Sequence, residues 1–137
     1  MANEAAILEL HGTVEGGGMR FNCADELAIP KGTLLAFSGA GVKIVYPSPA
    51  TGPTKFAGIA NEEKVADDGA TTIGAYTKCV ADLLCSGSIT LGAMAVLSGA
   101  NAICAAVDTD YEDGFIVGKV LETGSNGATI AVAVGIY

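Results

Sequence analysis

The chain has 137 residues, enough for one domain and too few for two ordinary ones. Half of its residues are hydrophobic, but only 6% are aromatic and none is Trp. Seven Lys and Arg face 15 Asp and Glu, for a net charge of −8, so a phosphate-gripping face has few cations to draw on and direct nucleic-acid binding is not expected.

Nineteen glycines against four prolines point to many tight turns, because glycine accepts positive φ at no steric cost. The four cysteines, Cys23, Cys79, Cys85 and Cys104, form no C-x-x-C pair, and there is one His. Neither a metal site nor a cofactor is expected from that set, and buried free thiols are preferred over two disulfides. Met1 to Glu9 lacks a basic segment followed by an apolar run, so no secretory signal is read there.

In chain order, Ala5 to Val14 alternates Leu8, Leu10 and Gly12 against Ile7, Glu9, His11 and Thr13, and is broken by Gly16-Gly17-Gly18. Residues 1–28 therefore read either as an extended N-terminal arm containing one strand or as an ordinary first strand and glycine turn. From Ile29 onward, short apolar runs lie between Gly, Asn, Asp and Ser clusters, the pattern of an all-β body spanning 29–137. The expected strands are Thr33–Phe37, Val42–Tyr46, Lys55–Ala60, Thr71–Tyr76, Lys78–Leu84, Ala93–Leu97, Ala102–Val107, Ile116–Glu122 and Thr129–Ile136. One or two short helices are allowed for at Glu62–Val65, Tyr76–Leu84 or Asp108–Asp113. The loop from Tyr46 through Pro53 is too rich in proline for a central ladder. Leu83 to Val107 carries no charge, yet Ser, Gly and Asn punctuate it, so it reads as two buried strands with turns and no membrane span is expected.

An internal repeat organises the body. Gly32, Gly58 and Gly69 recur as Gly92, Gly118 and Gly127, at offsets of 60, 60 and 58. These six are expected as structural turn glycines, with Asp68-Gly69 and Asn126-Gly127 in positive-φ turns. The pseudo-repeats span about 29–84 and 89–137 and would close on each other into one small barrel or sandwich.

No catalytic constellation assembles from these residues. His11 lies far in sequence from every cysteine, so a Cys–His or Ser–His pair has little to work with. The carboxylates at Glu62-Glu63, Asp67-Asp68 and Asp108 to Asp113 read as solvated loop charge, and the last group misses the EF-hand spacing, with Lys119 at its twelfth position.

Several stretches resemble the small head decoration (cement) proteins of tailed phages. They are Ile29-Pro30-Lys31-Gly32-Thr33-Leu34, Phe56-Ala57-Gly58-Ile59-Ala60, Asp68-Gly69-Ala70-Thr71, Ile116 to Glu122, and Gly127 to Val132. The resemblance covers about Ile29 to Tyr137. It implies a non-enzymatic β-rich body, often a homotrimer, on the outer surface of the virion after synthesis in the host cytoplasm. Its partners would be the major capsid protein and itself. Members commonly reach the shell with an amino-terminal arm, which assigns capsid binding to Ile7, Leu8, Leu10 and Val14. Two other roles remain open: another virion structural protein, such as a minor capsid or head-fibre base protein, or a small β-sandwich ligand-binding module. The module would need an exposed aromatic platform, and the Tyr and Phe residues are scattered.

Overall fold

The computed structural model describes residues 3–10, 19–39, 41–48, 55–107 and 115–135. The protein is all-β. Its strands are β1 (Ala6–Leu10), β2 (Met19–Asn22), β3 (Leu34–Phe37), β4 (Val45–Pro47), β5 (Phe56–Ala60), β6 (Thr72–Tyr76), β7 (Cys79–Cys85), β8 (Met94–Leu97), β9 (Ala102–Ala105), β10 (Ile116–Val120) and β11 (Thr129–Val134). Among the described residues there is no helix. Glu62–Val65 is irregular and carries a β-bridge at Lys64, and most of Tyr76–Leu84 is strand β7; Asp108–Asp113 lies outside the described residues. The Tyr76–Leu84 run resolves as a strand because alternate residues Cys79, Ala81, Leu83 and Cys85 enter one core, the period of two that a helix cannot supply.

The duplication is visible in the pairing. One sheet runs β2-β6-β5-β3-β4, and the other runs β7-β11-β10-β8-β9 with β1 added outside β7. The two five-strand orders correspond strand for strand. A parallel pairing, Leu84 to Ala102 and Cys85 to Ile103, joins β7 to β9 and closes the second half into a barrel. In the first half the corresponding seam is one parallel bridge, Asn22 to Ile44. The halves are therefore β2–β6 and β7–β11, which moves the sequence-derived repeat boundaries. β7 follows β6 directly in sequence but opens the second unit, because its ladder partner is β11. β2, absent from the sequence reading, opens the first unit by pairing with β6.

The same bulge recurs in both halves. Leu35 pairs with Gly58 and Ala36 with Phe56, leaving Ala57 as the extra residue. Sixty residues on, Ala95 pairs with Gly118 and Val96 with Ile116, leaving Val117 extra. Gly58 and Gly118 are thus not turn glycines; both lie inside strands, where the neighbouring strand's backbone passes close to them. A Cβ on Gly58 would come within 2.8 Å of the Tyr76 carbonyl oxygen, and one on Gly118 would overlap the Ala133 carbonyl. The other four, Gly32, Gly69, Gly92 and Gly127, do lie in positive-φ conformations.

β3 explains why the central runs are apolar without alternation. Leu35 points into the first half's own core with Phe21, Ile29, Val45 and Ile73. Leu34 and Ala36 point the other way and join Ile59 in the core of the second barrel, among Leu83, Leu97, Ile103, Val117 and Ile130. The strand is buried on both faces, so both faces must be apolar. A polar junction fixes the two halves in register. The Asn101 side-chain oxygen accepts the Leu34 N–H at 2.9 Å, the Asn101 N–H donates to Ser48 Oγ at 2.9 Å, and the Ser48 N–H donates to the Leu34 carbonyl at 2.8 Å. Asn101 and Ser48 are both buried, so these bonds replace water that cannot reach them.

Gly118→Ala is expected to lower stability by about 1–3 kcal/mol, the usual cost of forcing an atom into a packed site. A urea midpoint unchanged from the parent would show that β10 and β11 do not approach as closely as described.

Candidate binding surface

β1 is the outermost strand of the six-stranded sheet. It pairs antiparallel with the first half of β7, Ala6 opposite Asp82 and Leu10 opposite Cys79. The second half of the same β7 edge is taken by β9, so one long strand serves two neighbours in succession. Residues 6–10 and 19–22 are accordingly built into the two sheets, and no boundary between arm and body falls near residue 29. The segment before β1 also binds the first half, where the Ala5 N–H donates to the Gly32 carbonyl at 2.6 Å. β1 therefore straps the two halves together.

The register shifts between Ile7 and Glu9, which makes Leu8 the bulged residue. A bulge redirects a side chain relative to the pleat. Ile7 packs against the larger core, while Leu8 is 51% exposed. Leu10 closes the ladder with Cys79 through its backbone. Val14 and His11 lie outside the described residues. Of the four sequence-assigned contact residues, Leu8 is the one whose described side chain faces solvent. A cavity beneath the strap is lined by Ala5, Ile7, Lys31, Gly32, Ala60 and Tyr76.

The charged clusters are engaged locally. Lys64 is buried, and its Nζ donates to the carbonyls of Asp25 (2.6 Å), Leu27 (3.0 Å) and Val65 (3.3 Å). The Asp68 carboxylate lies 3.3 Å from the same nitrogen and that of Asp25 3.8 Å. The Ala70 N–H above all, helped by Lys64 and the Val65 N–H, holds the Asp68 carboxyl below its ordinary pKa. Lys64 thus ties down the loop from Asp25 to Leu27, a structural task that its sequence neighbours Glu62 and Glu63 concealed. Glu62 and Glu63 bind Arg20 and the Lys31 N–H respectively. Asp108 to Asp113 lie outside the described residues. Among the described residues, no group of three or more His, Cys, Asp or Glu side chains is placed to hold a metal ion.

All four cysteines are free thiols; Cys23, Cys79 and Cys85 are buried and Cys104 is half-buried. Burial pushes the Cys79 thiol up from 9.0 to about 11. Tyr46, Phe56 and Tyr76 pack against the larger core, and Phe21 meets Phe37 edge-on at 5.8 Å, with Phe37 itself 44% exposed. No helix among the described residues is long and apolar enough to cross a membrane. Comparison with known protein families finds no match, and comparison with curated proteins finds none either.

Two outcomes follow. Lys64→Met leaves the Asp25 and Leu27 carbonyls without their buried donor, and should cost about 2–4 kcal/mol in chemical denaturation. The folded-state thiol of Cys79 ionises later than the unfolded one, so stability is fully present below about pH 9 and falls as the pH rises toward about 11. Cys79→Ala should lessen that alkaline decline in Tm, leaving the part due to Cys23 and Cys85, whose thiols burial also pushes up; an identical slope in the two proteins would assign it to other groups.

Proposed function

We propose that this chain is a non-enzymatic structural protein of a tailed-virus particle. It binds the outside of the capsid shell and stabilises contacts between major capsid protein subunits. The observation that carries the reading is β1: an edge strand, strapped across both halves of a duplicated β-scaffold, that turns Leu8 outward and, among the described residues, is paired on one side only. An open edge of this kind recruits an extended segment of another chain through main-chain hydrogen bonds, and an apolar side chain beside it adds contact area. The resemblance of Ile29 to Tyr137 to phage head decoration proteins supplies the identity of the partner. It also supplies the proposed homotrimer, in which several weak contacts act together on the shell. The net charge of −8 favours a protein partner over nucleic acid.

The test is co-sedimentation with expanded shells of the cognate major capsid protein. The parent chain should saturate the shells, and Leu8→Asp should weaken binding by about tenfold or more, since it replaces roughly a leucine's worth of buried area with a charge. Because Leu8 is exposed, circular dichroism and Tm should stay at the parent's values. A parent chain that does not bind the shells removes the decoration reading. Parent-like binding by Leu8→Asp would instead leave the reading standing but move the contact away from β1.

A further inference from the structure

The internal duplication gives each half a glycine corner of the same construction, and only one of them is covered. In the first half, the Gly32 N–H donates to the Ala60 carbonyl at 2.8 Å, and φ of Gly32 is +89°. In the second, the Gly92 N–H donates to the Val120 carbonyl at 2.9 Å, and φ is +84°. The turns leading into them also match: Thr33 N–H to the Pro30 carbonyl at 3.1 Å, and Ala93 N–H to the Thr90 carbonyl at 3.0 Å.

The surroundings differ. At Gly32 the chain's own residues 4 and 5 lie across the corner. The Gly32 carbonyl accepts the Ala5 N–H, and the position of a Cβ on Gly32 is only 2.6 Å from the Ala5 oxygen and 2.9 Å from the Glu4 Cβ. At Gly92 nothing lies within 4 Å of the same position, and among the described residues no backbone N–H donates to its carbonyl. The flanks differ as well. Lys31 and Asn61 border the covered corner, while their counterparts at the open one, Leu91 and Leu121, are 61% and 45% exposed. Leu91 precedes Gly92 and Leu121 follows Val120, so both leucines adjoin the bonded Gly92–Val120 pair, and the Leu91 N–H is held by Thr123 Oγ1 at 2.9 Å.

We infer that the Leu91–Gly92 corner is a docking site for an extended, uncharged segment of a partner protein. That segment crosses Gly92 as residues 4 and 5 cross Gly32, donating a backbone N–H to the Gly92 carbonyl and resting apolar side chains on Leu91 and Leu121. The covered corner shows what this geometry accepts: the backbone of Ala5 and the Cβ of Glu4 at the point of closest approach. The paired leucines set the preference for apolar over charged side chains. The occupant belongs to a different protein, because the chain's own segment is already held between Gly32 and β7, and a second copy could lend its segment only by giving up those bonds. The inference goes beyond the proposed shell contact at β1 and holds whatever the partner's identity.

The experiment uses the full chain, labelled with ¹⁵N, and as the probe a synthetic end-capped peptide of the sequence of residues 3–10 with Glu4→Ala and Glu9→Ala, which makes it uncharged. Titration should shift the amides of Leu91 to Ala93 and Val120 to Thr123. The double variant Leu91→Ser with Leu121→Ser removes both apolar flanks and leaves the Gly92 backbone corner unchanged. It should fold with a parent-like circular dichroism spectrum and bind the peptide about tenfold more weakly or worse, as expected for losing two leucine contacts. Three results would overturn the inference. One is the absence of shifts at the Gly92 corner at millimolar peptide. Another is shifts confined to Lys31, Gly32 and β7, which would mean simple exchange with β1. The last is concentration-dependent self-association of the intact chain that the double variant abolishes, which would make a second copy the occupant.

Discussion

The packing of β3 and β5 on two cores at once is the constraint on which the rest of the molecule depends. Leu34, Ala36 and Ile59 belong to the second barrel's core, while Leu35, Ala57 and Ala60, on the same two strands, belong to the first. Neither half can bury those strands alone: a strand apolar on both sides needs cover on both sides. The two halves are therefore one folding unit, and the Asn101–Leu34–Ser48 bonds set how they meet. Apolar contact alone tolerates sliding; a buried carboxamide whose partners lie on the other half does not, since sliding would strand it without hydrogen bonds.

Duplication supplied the frame, and the departures from symmetry carry the individuality of the chain. The strand order and the bulge after Phe56 or Ile116 are kept. The position that holds buried Lys64 in the first half is Gly124 in the second, where a Cβ would crowd Ile130 and the Cys85 sulfur. The first half's loop after Cys23 is longer and needs an internal cation to satisfy its carbonyls; the second half's shorter connection closes without one. The seams differ as well, with two parallel pairs in the second half and a single bridge in the first. The second barrel is thus the more tightly closed of the two, and it is also the one to which β1 adds its strand.

The proposed adhesive role draws on this arrangement. A strap held at Ala5 by one half and along its length by the other presents an edge whose position is fixed before any partner arrives, which spares the ordering entropy that a free arm would lose on binding. The exposed apolar residues that matter to this reading, Leu8, Leu91 and Leu121, lie on backbone that the scaffold holds in place.

Much of this was written locally in the sequence. Nine strands from β3 to β11 are marked by apolar runs between glycine and polar turn residues, and the recurring glycines announce the duplication because each marks a backbone state or a close approach that other residues resist. β2 was not legible: Met19 to Asn22 buries one large side chain, Phe21, and its partner β6 lies fifty residues away. Nor could the sequence say that β7 opens the second unit, since it directly follows β6 and only its ladder to β11 reveals the allegiance. Whether the N-terminal segment is arm or strand, which glycines stand inside strands, and why a lysine is buried were likewise decided by tertiary structure. Turn propensity and the alternation of side chains act over a few neighbours and can be read in order. Pairing, closure and the burial of a second face are settled between residues that meet only when the whole chain is folded.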